Sequence, residues 1–527
     1  MAALAAVLLL GQPEPAPAPP IVWSQPAEAA AIAHLDCAAL PAIDRPFVQY
    51  VWNPTRSKET AAAISYGVNL AASRSRTIQR PVLVAGGLLL RWDLRLLDPE
   101  GGTLAGLWEK LIDEPHFHAS VPTLVDVPRY RASDGKFYTS KVVVARQFAL
   151  HAGVNDLLSL STFTGSDMPI VEGRFLLSRL LSTLNGSLYY EARGIVRDPP
   201  GDKTALAAFL ESMGADPDSL SAAVAKNKTA IFLSGVTGKP RAAVFFFARN
   251  ARPSDTSPIV TATLDIQDGD VDPARHPIYT LIGAKSRASE VIGFAPNGLP
   301  MYALFNAAGD LQDSVPEDIA RDNKVPAPFT ARLQPAIGCI RCHGENEGWQ
   351  PIGNDVARLL DAGLVPLDDA TQTDPVTALE RILGEYQGDL TEPLRTLRNG
   401  HERAAFRATG GIWQEKSALS VTAEVSRLFA DELYVKIGPG QALTELGQTM
   451  QEGEMPEAAF ARLVPKLPAL PETGLVPVED PAIAGLRAGI AVLRSDFQRV
   501  LPDLYLRSQA GNSDQDAGKI PEKETSP

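Results

Sequence analysis

The feature that most constrains this chain is the segment Cys339-Ile340-Arg341-Cys342-His343, which has the pattern C-x-x-C-H. The chain has 527 residues and three cysteines, and two of these cysteines lie in the segment. With so few cysteines and histidines, the pattern would arise by chance about twice in ten thousand such chains, so we treat it as functional. Side chains three positions apart lie on one face of a helical turn, so both sulfurs are expected on the same side, with the imidazole next to them.

These residue types predict covalent attachment of one haem c per chain. Two thiols can each form a thioether with a vinyl group of a porphyrin, and the adjacent imidazole can coordinate the iron. We therefore predict Cys339 and Cys342 as the attachment points and His343 as the proximal iron ligand. The alternatives are a redox dithiol, half of a zinc site and a vestigial site. A redox dithiol favours a strand-to-helix junction in a βαβ unit and a structural zinc needs four ligands, and the sequence around the motif indicates neither.

The distal iron ligand is left open by the sequence. His401 lies on a predicted helix after the motif, and Met301 lies in a predicted hairpin before it, so both are candidates. The chain has no methionine between Met301 and Met450. An iron with two axial ligands suits electron transfer, whereas an empty sixth position would suit peroxide or gas chemistry.

Three functional hypotheses follow from the motif. The leading one is an exported monohaem c-type cytochrome that carries out one-electron transfer. The second is a five-coordinate haem peroxidase or gas sensor, and the third is a secreted partner-binding module in which the haem is ancillary. The sequence favours an electron-transfer protein over a catalyst and predicts no catalytic residue.

The overall charge of the chain is acidic, with 62 Asp and Glu against 49 Lys and Arg and a net charge of −13. Such a surface repels phosphate backbones and anionic lipids, which argues against nucleic-acid and membrane-surface binding. It favours a redox partner protein with a basic docking surface. No apolar run after the N-terminus approaches the roughly 18 residues that span a bilayer, so no transmembrane segment is expected in the mature chain.

The N-terminus combines a short apolar run, Ala2 to Leu10, with a following stretch of small residues and prolines. This pattern predicts a signal peptide over 1–20, although the positively charged start of such peptides is missing. The alternative is an Ala/Pro-rich leader. Because thioether attachment of haem takes place outside the bacterial inner membrane, the motif itself favours a periplasmic or otherwise exported protein.

The secondary-structure signals change along the chain. Strand-like runs and turn dipeptides dominate the first two thirds, whereas amphipathic helical patterns dominate the last third. The predicted fold class is therefore an α+β N-terminal region followed by an all-α cytochrome c-like haem domain and further helices. The predicted units after the leader are a Pro/Ala-rich linker at 21–44, an α+β module of unknown function at 45–334, a helical haem domain at 335–435, C-terminal helices at 436–507 and a disordered tail at 508–527.

A family resemblance supports the haem prediction. The segment "CIRCHG" followed by "GWQPIGNDVARLL" resembles the haem-binding start of a c-type cytochrome domain. The order of "TGSDMPIVEGRF", "APNGLPMYALFNAAGDLQDSVP" and "IGCIRCH" resembles large exported bacterial proteins with a single c-type haem. The resemblance implies haem binding and electron transfer, with Cys339, Cys342 and His343 in the roles given above, and it implies no substrate.

Overall fold

The structure of the chain is a computed structural model, and it describes a little over half of the residues. The described residues are 26–72, 77–97, 124–131, 136–143, 154–166, 169–183, 188–215, 229–233, 240–248, 259–265, 288–315, 321–322, 325, 332–345, 391–412, 418–446, 448, 450–466, 479–494, 496–497, 500, 504 and 507–508. The predicted signal peptide at 1–20 and all but the first residue of the predicted tail lie outside these ranges.

The first part of the chain builds a four-stranded sheet with helices around it. Its strand order is β2-β3-β1-β6, in which β1 pairs parallel to β6 and the other pairs are antiparallel. Ser57 caps the second helix by accepting a hydrogen bond from the Thr60 backbone N–H, as its sequence predicts. The elements are α1 Pro26–Ala39, β1 Val48–Trp52, α2 Lys58–Ala71, β2 Val82–Val84, β3 Leu89–Asp93, α3 Leu94–Leu97, β4 Leu124–Arg131, β5 Lys136–Val143, α4 Val154–Thr164, β6 Ile170–Glu172, α5 Gly173–Leu180, α6 Tyr189–Ala192 and α7 Ala205–Ser212.

The middle of the chain forms a six-stranded antiparallel sheet that carries one wall of the candidate site. Its strand order is β12-β11-β10-β9-β8-β7. The predicted hairpin at Asn297-Gly298 is confirmed, since the strands β10 and β11 flank it and Gly298 has a φ of 85°. The strands are β7 Thr229–Leu233, β8 Pro240–Phe246, β9 Val260–Asp265, β10 Ala288–Phe294, β11 Pro300–Asn306 and β12 Leu311–Gln312, while β4 and β5 pair separately.

The last part of the chain contains six of the thirteen described α-helices and one further small sheet. The strands β13 and β14 pair antiparallel within the segment that was expected to be helical. Within the predicted C-terminal helices at 436–507, Asp480 caps a helix that ends at Arg487, and Gly489 follows with a φ of 79°. The elements are α8 Ile337–Ile340, a π-helical turn Arg341–Glu345, α9 Thr391–Ala408, α10 Ala418–Leu433, β13 Lys436–Ile437, α11 Pro439–Glu445, α12 Pro456–Leu463, α13 Pro481–Arg487 and β14 Val492–Leu493.

The predicted fold class is wrong. The chain is a mixed α/β protein whose sheets are spread along the sequence, and not an α+β region followed by an all-α haem domain. Helix α10 packs against α2 and α5, and the Ser65 hydroxyl in α2 donates a hydrogen bond of 2.7 Å to the Ala408 carbonyl at the end of α9. The helical pattern of the last third was correctly recognised, but the apolar faces of these helices bury themselves against N-terminal elements. One hydrophobic core cluster accordingly includes buried side chains from α1 to α13.

The segment expected to be a linker at 21–44 contains the helix α1. Ala29, Ala33 and Cys37 of this helix are fully buried in the core cluster. Alanine is the strongest helix former, and its small side chain allows close packing, which explains why an Ala-rich stretch is ordered here. Among the residues that the structure describes, none of the helices combines the length and the apolar character that crossing a membrane requires.

Candidate functional site

The C-x-x-C-H motif lies where the short helix α8 passes into the π-helical turn. The turn begins at Ala336, whose φ is 62°, and the Ile337 backbone N–H donates to the Leu181 carbonyl at 3.2 Å. Cys339 therefore lies in α8, whereas Cys342 and His343 lie in the wider turn that follows. The predicted single helical turn is present, and it widens between the two cysteines.

Arg341, inside the motif, fixes this turn to the rest of the protein. Its guanidinium forms a buried ion pair with Asp322, and its Nε donates to the Ser426 hydroxyl of α10 at 2.9 Å. The guanidinium also lies over the Phe429 ring, 5.7 Å from the ring centroid. These three contacts hold the backbone of the motif against α10.

Cys339 is buried, with 1% of its surface exposed, and faces the six-stranded sheet. Its thiol donates a hydrogen bond to the carboxylate of Glu290 on β10. Burial and this neighbouring negative charge raise the pKa of the thiol well above its usual value, so Cys339 carries its proton at neutral pH. Tyr189, Tyr190 and Tyr302 are close enough to Cys339 to interact with it electrostatically.

His343 meets the same carboxylate. Its Nε2 lies 3.6 Å from a Glu290 oxygen, and both side chains are 27% exposed. Burial alone would raise the pKa of Glu290, but the neighbouring imidazole of His343 and, after it, the Cys339 thiol hold it below its usual value. Glu290 therefore connects the first cysteine of the motif with its histidine.

Glu290 was not predicted as a site residue. It lies in the strand segment "ASEVIGF", and no motif distinguishes it. An acidic side chain in the middle of an otherwise apolar strand was a usable signal, because charges are seldom buried without a partner. The alternation of the strands shows which face of the sheet Glu290 lies on. Glu290 pairs with Leu304, and Ile292 pairs with Tyr302. All four side chains therefore lie on the face that Cys339 contacts.

His401 comes to this site from helix α9. Leu394 and Leu397 of the helix pack on Ala243 and Phe245 of β8, which lie on the same face of the sheet as Glu290. His401 is 3% exposed. Burial, and to a lesser degree the charge of His343, lower its pKa to about 4, so its imidazole is neutral at neutral pH. His401 and His343 therefore interact electrostatically.

Met301, the other candidate for a distal ligand, lies on the opposite face of the sheet. It pairs with Gly293, and it alternates with Tyr302, which faces the motif. A Cβ added at Gly293 would lie 2.8 Å from the end of Met213, just after α7, which identifies the layer that covers this second face. The structure therefore brings Met301 toward α7 and not toward His343.

The donor chemistry of the site was compared with what a haem requires. In the described part of the chain, no group of three or more His, Cys, Asp or Glu side chains is arranged to hold a metal ion by itself. The site instead offers two thiols and two imidazoles, one of which is buried and neutral. Thiols that form thioethers and neutral imidazoles that bind iron are the donors that a haem c uses, so the residues fit this group.

Comparisons of the chain with protein-family models, with curated proteins and with solved structures found no match.

Proposed function

We propose that this chain carries one haem c bound covalently to Cys339 and Cys342, and that it transfers single electrons. The imidazoles of His343 and His401 would hold the haem iron, with His343 as the ligand next to the attachment cysteines. The observation that carries the proposal is that a second histidine, His401, is buried and neutral and that the charge of the motif histidine His343 acts on it. When bound, the haem supplies an iron that alternates between its ferric and ferrous states.

The location of His401 favours electron transfer over the peroxidase or gas-sensor alternative. A second imidazole on the rigid helix α9 provides an axial ligand, whereas peroxide and gas chemistry needs that position open. Burial already keeps the imidazole of His401 deprotonated, so no proton has to leave before it can bind iron. A histidine pair also gives a lower reduction potential than a histidine–methionine pair.

The other residues of the site orient and shield these ligands. The Glu290 carboxylate lies 3.6 Å from the Nε2 atom of His343 and restrains the imidazole ring by its charge. Arg341 holds the motif against α10. The apolar and aromatic side chains on the sheet face, including Ile292 and Tyr302, exclude water from the site.

The acidic charge of the chain supports the proposed partner. A net charge of −13 favours a redox partner with a basic surface, and such docking is weak and sensitive to salt. Because thioether attachment takes place outside the inner membrane of bacteria, we also propose that the protein is exported.

The attachment is tested by expressing the chain with a c-type maturation system and extracting the purified protein with acidified solvent. Haem should stay with the polypeptide in the wild type and in the control Cys37→Ser, which changes a buried cysteine outside the motif. It should be lost from the double variant Cys339→Ser, Cys342→Ser. A colourless wild-type protein, or haem that leaves with the solvent, refutes the proposal.

The distal ligand is tested by absorption and electron paramagnetic resonance spectra of the matured protein. The variant His401→Phe should change the iron from low spin to high spin, because it removes one axial nitrogen. The matched control is Met301→Leu, which alters a similarly buried candidate on the other sheet face and should leave the spectra unchanged. The reverse pattern would assign the distal position to Met301.

A further inference from the structure

Arg193, which follows α6, has an unusual environment for an arginine. It is 1% exposed and is among the largest fully buried side chains of the described residues. Its Nη2 donates a hydrogen bond of 2.6 Å to the Pro300 carbonyl. Its Nε and Nη1 have no hydrogen-bond partner within the part of the chain that the structure describes. Leaving N–H groups of a buried cation unpaired is costly.

Other buried arginines of this protein form ion pairs with carboxylates. Each of four holds a carboxylate, in the pairs Arg174–Glu172, Arg341–Asp322, Arg494–Glu445 and Arg507–Glu479. Arg193 forms no ion pair with any described residue. The hydroxyls of Tyr189, Tyr66 and Tyr302 act on its charge, and Arg193 also donates a side-chain hydrogen bond to Tyr189. Burial lowers the pKa of Arg193 to about 10, which still leaves it positively charged at neutral pH.

A second unpaired donor lies next to this cation. The Tyr66 hydroxyl of α2 is fully buried and has no hydrogen-bond partner among the described residues. Burial raises its pKa, so the hydroxyl keeps its proton and can donate it to an acceptor. Arg193 Nε and Nη1, which together carry three N–H groups, and the Tyr66 hydroxyl thus lack an acceptor among the described residues.

Two tyrosines link Arg193 to the motif electrostatically. Tyr189 and Tyr302 interact electrostatically both with Arg193 and with Cys339. The Tyr189 hydroxyl also accepts a hydrogen bond of 2.8 Å from the Tyr302 backbone N–H, so the two aromatic residues form a fixed connection between these sites.

We propose that Arg193 and Tyr66 form a binding site for a single carboxylate group. The charge sets the ligand class, because one guanidinium among neutral tyrosines is balanced by a monoanion, whereas a dianion would leave a buried negative charge. The carboxylate has two sources, a propionate of the bound haem or a free small carboxylate. The first source rests on the proposed function and the second does not.

The site is tested on the full chain purified without haem, by following its melting temperature with rising sodium propionate against sodium chloride at equal ionic strength. The wild type should be stabilised by propionate and not by chloride, since a ligand that binds the folded state raises the melting temperature. Arg193→Met should lose this response. Tyr66→Phe, which keeps the packing, should weaken the propionate affinity about tenfold, because it removes one hydrogen bond to a charged group.

A further property of Arg193→Met separates a ligand site from an ordinary structural arginine. Without propionate the variant should be at least as stable as the wild type, since it removes an unpaired buried charge. The matched control Arg341→Met should be destabilised, since it leaves Asp322 without its partner. If Arg193→Met does not fold, the test rests on Tyr66→Phe. In that case a propionate response in Tyr66→Phe equal to that of the wild type rejects the proposal.

The source of the carboxylate is determined with the haem-loaded protein. If a haem propionate occupies the site, added propionate no longer raises the melting temperature, whereas a continued response assigns the site to a free carboxylate. Haem content, measured separately, reports on the proposed function. An absent propionate response in the haem-free wild type, or an equal response in Arg193→Met, refutes the carboxylate site whatever the haem content.

Discussion

The buried ion pair inside the C-x-x-C-H motif gives the most quantitative prediction. The side chains of Arg341 and Asp322 are 4% and 5% exposed, so their interaction is not weakened by solvent as it is at the surface. Removing one partner of such a pair leaves an uncompensated charge in the interior and costs about 3–5 kcal/mol of unfolding free energy. We expect about 3 kcal/mol for Asp322→Asn, since the amide keeps the shape and one acceptor oxygen.

Arg341→Met should cost more than the change at Asp322. It also loses the hydrogen bond to Ser426 and the contact with the Phe429 ring, each worth about 1 kcal/mol. The expected loss is therefore about 5 kcal/mol. The double variant Arg341→Met, Asp322→Leu removes both charges and should be more stable than Arg341→Met alone, because no unpaired charge remains.

The measurement is urea unfolding of the full chain followed by far-ultraviolet circular dichroism, with comparison of midpoints at a constant slope. The control is Arg395→Met, which breaks the pair with Glu392, whose side chains are 64% and 67% exposed, and should cost less than about 0.5 kcal/mol. The explanation is refuted if Asp322→Asn costs no more than this control. It is also refuted if the double variant Arg341→Met, Asp322→Leu is no more stable than Arg341→Met alone.

Two further stability predictions concern other parts of the chain. Burial alone would raise the pKa of Glu445, but Arg494 at 2.8 Å holds it below its usual value of 4.5, so the pair stabilises the protein above about pH 4.5 and the effect is lost as the pH falls further. Glu445→Gln should cost about 2 kcal/mol at pH 7 and nothing at the acid end of a stability–pH profile, and an equal loss at both ends would contradict this. Gly67→Ala should cost about 1–2 kcal/mol, since its Cβ would lie 2.2 Å from Leu177 in the core, whereas Gly400→Ala in α9 meets no atom within 4 Å and should add about 0.5–1 kcal/mol by helix propensity. Thermal melts of Gly67→Ala and Gly400→Ala test these two predictions. A stabilised Gly67→Ala would show that the Leu177 side chain moves aside at no cost in free energy.

Local signals in the sequence predicted local structure well. The Ser57 cap, the Asn297-Gly298 turn and the Gly86-Gly87 break between β2 and β3 all depend on neighbouring residues and on backbone conformation alone. The all-α prediction for the last third failed because an amphipathic helix shows that it buries one face and not what it buries that face against. Helix α10 packs on α2, more than 300 positions earlier in the chain, and a single sequence gives no sign of that pairing.

Some residues of the candidate site could be predicted from the sequence, and others could not. Cys339, Cys342 and His343 follow from their spacing, and His401 was a candidate because of its residue type. The roles of Glu290 and Arg193 depend on neighbours from other elements, so they became visible only in the folded chain. Both residues nevertheless have a recognisable sequence context, because each is a charged residue next to apolar or aromatic ones. Glu290 lies in "SEVIGF" and Arg193 in "LYYEAR".

The burial of Cys339 makes a prediction about the order of haem attachment and folding. The thiolate is the reactive form of cysteine, and in the folded chain Cys339 is 1% exposed and protonated, whereas Cys342 is partly exposed. Timed alkylation of the haem-free folded protein with iodoacetamide, followed by mass spectrometry of the peptides, should therefore modify Cys342 at least about tenfold faster than Cys339 or the buried Cys37. In urea all three should react alike. Equal rates at Cys339 and Cys342 in the folded protein would contradict the buried location of Cys339. The expected difference implies that a thioether at Cys339 has to form before the six-stranded sheet closes over its sulfur, so purified, folded protein should not acquire haem at this position.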